Sequence, residues 1–149
     1  MDILGTLAFS GFTPIKNIYV EKGNSHFVSD NGVLYNKAKS CLFMYPQGRE
    51  DDKFTVPDGV KRISEYAFGM SKNTTVVISE GVESIGEKTF VSPSAKDLYL
   101  PSSLKKIESD ALLGYGVSSH PTVYVKKNSY AEKYLKNLKN ENFKVEYYD

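Results

Sequence analysis

The chain has 149 residues, with 19 Lys and Arg against 18 Asp and Glu, a net charge of +1. That length allows a single domain with a real core, and the balanced charge offers no footprint for nucleic acid or an anionic membrane surface. One cysteine, Cys41, excludes an internal disulfide framework, and no apolar run is long enough to insert in a membrane.

In chain order, the opening Met1-Asp2-Ile3-Leu4 has neither a basic stretch nor a long apolar one, so it is not expected to act as a signal peptide. Leu4-Gly5-Thr6-Leu7-Ala8-Phe9 matches Ile63-Ser64-Glu65-Tyr66-Ala67-Phe68 position by position. The chain therefore opens inside a repeat. It is expected to be the C-terminal part of a longer protein, and to self-associate through an N-terminal end where Leu4, Leu7 and Phe9 lack a covering turn. Ile18-Tyr19-Val20 is expected to be a strand. Two apolar runs follow, Gly32-Val33-Leu34-Tyr35 and Cys41-Leu42-Phe43-Met44-Tyr45, around the polar Asn36-Lys37-Ala38-Lys39. That pattern predicts a β-hairpin inserted between repeats.

Beyond the hairpin the chain repeats itself. Val56, Ile78 and Leu100 stand 22 residues apart, each followed by a turn, a second apolar pair and an Ala-Phe-like pair. A fixed period of this size is the signature of a solenoid, whose units must stack to bury their apolar faces. Phe54-Thr55-Val56, Val76-Val77-Ile78 and Leu98-Tyr99-Leu100 alternate as half-buried strands do, and Val123-Tyr124-Val125 fits the same template. Pro57 and Pro101 end strands, and Gly59 and Gly81 supply turns. Ala67-Phe68 and its counterparts are expected to fill one helical or 3₁₀ turn. The predicted core includes Phe54, Val56, Ile63, Phe68, Val76, Ile78, Ile85, Phe90, Leu98, Leu100 and Ile107. At the end, Ser129 and Glu132 form a capping box for a helix with Tyr130, Tyr134, Leu135 and Leu138 at helical spacing. Phe143-Lys144-Val145-Glu146-Tyr147 then alternates as a last strand.

The repeat resembles the BspA-like class of bacterial leucine-rich repeats. Asn31-Gly32-Val33-Leu34-Tyr35-Asn36 resembles the hairpin found between such repeats, and Ser129-Tyr130-Ala131-Glu132-Lys133-Tyr134 resembles that family's C-terminal cap. Ser79 in place of proline, Glu108 in place of glycine and Leu112 in place of phenylalanine are departures. The expected fold is a β-rich α/β, right-handed leucine-rich-repeat solenoid in one domain: a partial repeat over 1–20, a hairpin insertion over 21–53, repeats over 54–125 and a helical C-terminal cap over 126–149. The resemblance implies a surface or secreted bacterial protein that binds other proteins or host surfaces, with no catalytic residues and no cofactor.

The candidate chemistry agrees with that expectation. Cys41 has no visible His and oxyanion arrangement to make it a nucleophile. His26 and His120 cannot hold a metal alone. Glu50-Asp51-Asp52 lacks the alternating ligands of a calcium loop. Gly69 and Gly114-Tyr115-Gly116 lack the Lys-Ser/Thr of a phosphate loop, and Asn73-Thr74-Thr75 is a formal glycosylation sequon read as a turn. The sharper candidate is geometric. Strands stacked in register ~4.8 Å apart would align Thr55, Val77, Tyr99 and Tyr124, with Tyr19 beyond the hairpin. Lys53, Thr75, Asp97 and Thr122 would flank them on the same strands. These nine residues are the expected partner-binding face, used with the hairpin by a non-catalytic protein-binding module. A glycan-binding module using the same tyrosines, or a structural spacer, is the alternative.

Overall fold

The structure, a computed structural model, describes residues 14–91, 93–112, 115, 120–138 and 141–149. Leu4, Leu7 and Phe9 lie outside the described residues. Alternation within short segments builds two sheets around one core. The first sheet is all parallel, in the order β11-β10-β8-β6-β4. It comprises β4 (Lys53–Thr55), β6 (Thr75–Val77), β8 (Asp97–Tyr99), β10 (Thr122–Val125) and β11 (Lys144–Tyr147). The second contains the two-residue strands β5 (Arg62–Ile63), β7 (Ser84–Ile85) and β9 (Lys106–Ile107), parallel and in register. Ile63, Ile85 and Ile107 point inward from it, opposite Val76 and Leu98 of the first sheet. Every residue of the predicted core is buried except Phe54, which is half-buried on the edge strand β4.

The predicted hairpin is present and larger than expected. β1 (Phe27–Asp30), β2 (Val33–Asn36) and β3 (Cys41–Met44) form an antiparallel meander. Asn31 and Gly32, both at positive φ, join its first two strands, as a two-residue hairpin turn requires. β3 then pairs in parallel with β5 through Cys41 opposite Arg62 and Leu42 opposite Ile63. The hairpin thus extends the second sheet, with β3 in the place a repeat's own short strand would take.

Four details differ from the sequence reading. Ile18-Tyr19-Val20 is not a strand: Ile18 is buried and held by single bonds, its N–H to the Gly32 carbonyl and its carbonyl to the Ser29 hydroxyl. The Ala-Phe turns are neither helical nor 3₁₀. Phe68 and Phe90 donate their N–H to Thr89 and Ala111 of the following turn, so a helical run cannot propagate. Tyr66 and Lys88 instead close each bend at positive φ. α1 (Tyr130–Leu138) buries Ala131, Glu132 and Leu135, which leaves Tyr130 exposed. Finally, Leu112 is buried but does not join the ring stack at the next turn. The step from Asp97 to its partner Thr122 is three residues longer than the 22-residue steps from Lys53 to Thr75 and from Thr75 to Asp97. The same lengthening brings in Tyr115 as the ring that continues the stack.

That stack is an aromatic spine. Tyr45, Phe68, Phe90, Tyr115 and Phe143 follow one another at centroid separations of 5.6, 5.4, 6.3 and 6.3 Å. The departure at Ser79 is accommodated locally. The Ser79 hydroxyl donates to the Val56 carbonyl, replacing the missing proline with an inter-turn bond. Gly86 lies so close to the preceding turn that a Cβ would stand 2.7 Å from the Glu65 nitrogen. Half of the predicted capping box forms: the Ser129 hydroxyl accepts from the Glu132 N–H, while the Glu132 carboxylate passes over the Ser129 N–H and accepts from the Asn128 N–H.

Ile78 is buried at the end of an inward pair and Thr55 is exposed on the outer face. Ile78→Asp should therefore cost on the order of 4 kcal/mol, because it forces an unpaired charge into the core. Thr55→Asp should cost about 0.5 kcal/mol. Thermal melts check this; equal losses would overturn the assignment of strand faces.

Candidate functional site

Because the parallel strands are in register, the outer face of the first sheet carries two straight rows. Lys53, Thr75, Asp97 and Thr122 form one, and Thr55, Val77, Tyr99 and Tyr124 the other. Tyr99 and Tyr124 lie ring on ring, 4.3 Å apart and within 7° of parallel. Burial raises the Tyr124 hydroxyl pKa, helped by the Asp97 charge and by hydrogen bonds to Asp97 and Tyr99. Lys53 and Thr55 are exposed at the sheet edge, while the six residues on β6, β8 and β10 are half-buried by one another.

Tyr19 does not belong to these rows. It is 84% exposed on an irregular segment tied to the hairpin, not to the first sheet. The hairpin is also separate from this face, because its strands extend the other sheet.

Three members of the face were missed by sequence reasoning. β11 pairs with β10 and adds Lys144 to the first row and Glu146 to the second. Each stands 22 residues after its partner, Thr122 and Tyr124, so the repeat period itself was the signal, carried across the helix. Tyr148 meets Tyr99 edge-on, with centroids 5.7 Å apart, and donates its hydroxyl to the Leu100 carbonyl. Lys126 lies over the Tyr148 ring and 3.5 Å from Glu80. Burial works against the Glu80 charge, yet the Ser102 N–H and hydroxyl and the Ser103 N–H hold its carboxyl below the usual range.

The other candidates are committed to the fold. Cys41 is buried, and burial pushes its thiol pKa up, away from the reactive thiolate. Asp51, from the acidic run, accepts from Arg49 and from the Tyr45 hydroxyl, which hold its carboxyl below the usual range. Arg49 also bonds the Asn31 carbonyl and Asn17, so it fastens hairpin and N-terminal segment to the repeats. Asn73 of the sequon is buried and donates its amide to the Tyr45 hydroxyl and the Asp51 carbonyl. His120 is exposed in a loop at positive φ. Among the described residues no group of three His, Cys, Asp or Glu side chains converges as a metal site, and no helix is long and apolar enough to cross a membrane.

Residues 47–145 match the BspA type leucine-rich repeat region, in six copies. The chain belongs to this family. A leucine-rich repeat protein from Eubacterium ventriosum is similar to it, at 28% identity and a TM-score of 0.69 over 76% of this chain and 31% of that one. A leucine-rich cell surface protein from Faecalibacterium prausnitzii shares the fold at 22% identity and a TM-score of 0.54, over 85% of this chain and 40% of that one. This BspA-type chain thus spans well under half the length of either relative. Among proteins of curated function, none matches it.

In this BspA-type solenoid the last strand of the face is held by Glu132. Lys136, the Tyr147 hydroxyl and the Asn128 N–H bond its carboxylate and hold the pKa at about 2. A Glu in the unfolded chain titrates near ~4.3. The folded value is depressed, so the stabilisation is fully present above about pH 5 and is lost as pH falls toward 2. Melts from pH 7 to 2.5 should show a shallower acid loss for Glu132→Gln than for the wild type. Parallel curves would show that Glu132 does not anchor the cap.

Proposed function

We propose that this chain is a non-catalytic protein-binding module, acting in surface adhesion or host interaction, whose partner docks on the outer face of the parallel sheet. The observation that carries this reading is the stacked Tyr99–Tyr124 pair at the centre of two straight rows. Half-buried tyrosines in a rigid array are pre-ordered, so a partner gains contact area without paying to fix them. Asp97, Lys53, Lys144 and Glu146 surround them as a polar rim. A surface location is supported by the cell-surface relative from Faecalibacterium prausnitzii.

The same geometry weighs against the glycan reading. A sugar stacks on an open ring face. Here Tyr99 and Tyr124 cover one face of each other, and Tyr148 packs edge-on against Tyr99, which leaves less open ring face than a sugar needs. Among the described residues no metal-binding cluster accompanies them, and a role as spacer would make no use of the half-buried pair's outer surface.

Arrays of immobilised host proteins and of glycans, probed with the labelled chain, test the proposal. Binding to protein spots should fall about 30-fold with Tyr124→Ala and with Tyr99→Ala, with melting showing both variants folded. Binding confined to glycans, or protein binding indifferent to both substitutions, would contradict it.

A further inference from the structure

Asp97 differs from the other carboxylates on and beside the tyrosine face. Glu146 is paired with Lys144, and Glu80 with Lys126. Asp97 enters no salt bridge among the described residues. Its row runs Lys53, Thr75, Asp97, Thr122, Lys144, one residue from each strand. A threonine therefore separates it from the lysine on either side. Two strand spacings amount to ~10 Å, a distance that water and salt largely screen, the Debye length being about 8 Å in physiological salt. Yet Asp97 is half-buried, beside two half-buried tyrosines. A charge so placed has lost part of its water and has no counter-ion in return.

The groups around it are short of donors. The Tyr124 hydroxyl is bonded to Asp97 and to the Tyr99 hydroxyl, so one carboxylate and two phenol oxygens form a single cluster. An ionised carboxylate only accepts, and each phenol brings one hydrogen. Two hydrogens thus face the lone pairs of four oxygens. A partner side chain that completes the cluster must be cationic and must carry several donors. A lysine ammonium is a compact, strongly hydrated point charge with three. An arginine guanidinium has five in one plane. It can grip both carboxylate oxygens and keep N–H groups for the phenols.

We propose that the partner brings an arginine to this position, its guanidinium paired with the Asp97 carboxylate and bonded to the Tyr99 and Tyr124 hydroxyls. This rests on the protein-binding reading of the same face and specifies one side chain that the partner supplies.

A Gly-Arg-Gly peptide blocked at both ends, titrated into the isotope-labelled chain at low salt, tests this. Saturable amide shifts at Asp97, Tyr99 and Tyr124 are expected, with a Kd on the order of 10 mM. The same peptide with citrulline, which keeps the shape and loses the charge, should bind about tenfold more weakly, and the lysine peptide about fivefold. Asp97→Asn should weaken the arginine peptide about tenfold and leave the citrulline peptide unchanged, with melting showing the variant folded. Equal binding of arginine and citrulline peptides, or arginine binding indifferent to Asp97→Asn, would overturn the proposal. Equal binding of the lysine peptide would overturn the assignment to arginine. On the protein arrays Asp97→Asn should lower binding about tenfold. Protein binding that falls with Tyr124→Ala but not with Asp97→Asn would overturn this inference and leave the protein-binding reading standing. Saturable arginine binding with no protein spot bound would uphold the arginine site and overturn that reading.

Discussion

Phe68 and Phe90 lie ring on ring, 5.4 Å apart and within 7° of parallel, and the backbone beside each ring donates to the turn that follows. No single turn of this chain can close around its own apolar side chains. Each two- or three-residue strand is too short to stand alone, and its N–H groups find acceptors one period later: Val56 to Val77, Ile78 to Tyr99, Leu100 to Tyr124. Glu83 and Lys105 do the same on the other sheet, donating to Lys61 and Glu83 of the preceding turn. The ring spine sets the height at which these bonds can form. Where the period stretches by three residues, Tyr115 supplies the ring at the next level, and its hydroxyl is satisfied by the Ala95 carbonyl.

The same register that builds the core builds the surfaces. In-register parallel pairing copies each outward position into a row, so a residue type repeated at that position becomes a stripe. Tyrosine at two successive positions becomes a stacked pair. Among the described residues, the regular turns are flanked on both sides by departures from the repeat. The hairpin meets the first full turn through β3, where Tyr45 takes the spine position beside Phe68. At the other end α1 lies against β9, the Tyr134 hydroxyl donates to the Glu108 carbonyl, and burial pushes its pKa up to about 12.

Most of the fold was legible because the period and the alternation specify register, and register specifies which side chains meet. Val56, Ile78 and Leu100 announce the repeat, and Thr55, Val77, Tyr99 and Tyr124 follow as a row. The parts that escaped are those where local pattern and tertiary partner disagree. Ile18-Tyr19-Val20 alternates like a strand, but Ile18 is held by isolated bonds to the hairpin, so no ladder forms. The Ala-Phe turns read as helical because inter-turn acceptors are invisible in sequence. Tyr130 sits at helical spacing with Tyr134, yet the buried stripe runs through Ala131 and Leu135, since the small alanine lets the helix approach the core. Glu132 was legible as a capping residue. Its bonds to Lys136 and Tyr147 were not, because they depend on where β11 returns.

The central claim is that stacked rings couple neighbouring turns, and a double-mutant cycle on Phe68 and Phe90 measures that coupling directly. Phe68→Leu, Phe90→Leu and the double substitution, compared by denaturant unfolding, should give a coupling energy of about 1 kcal/mol beyond the sum of lost areas. Strict additivity would show that the rings merely fill space and that the backbone ladder alone holds the turns in register.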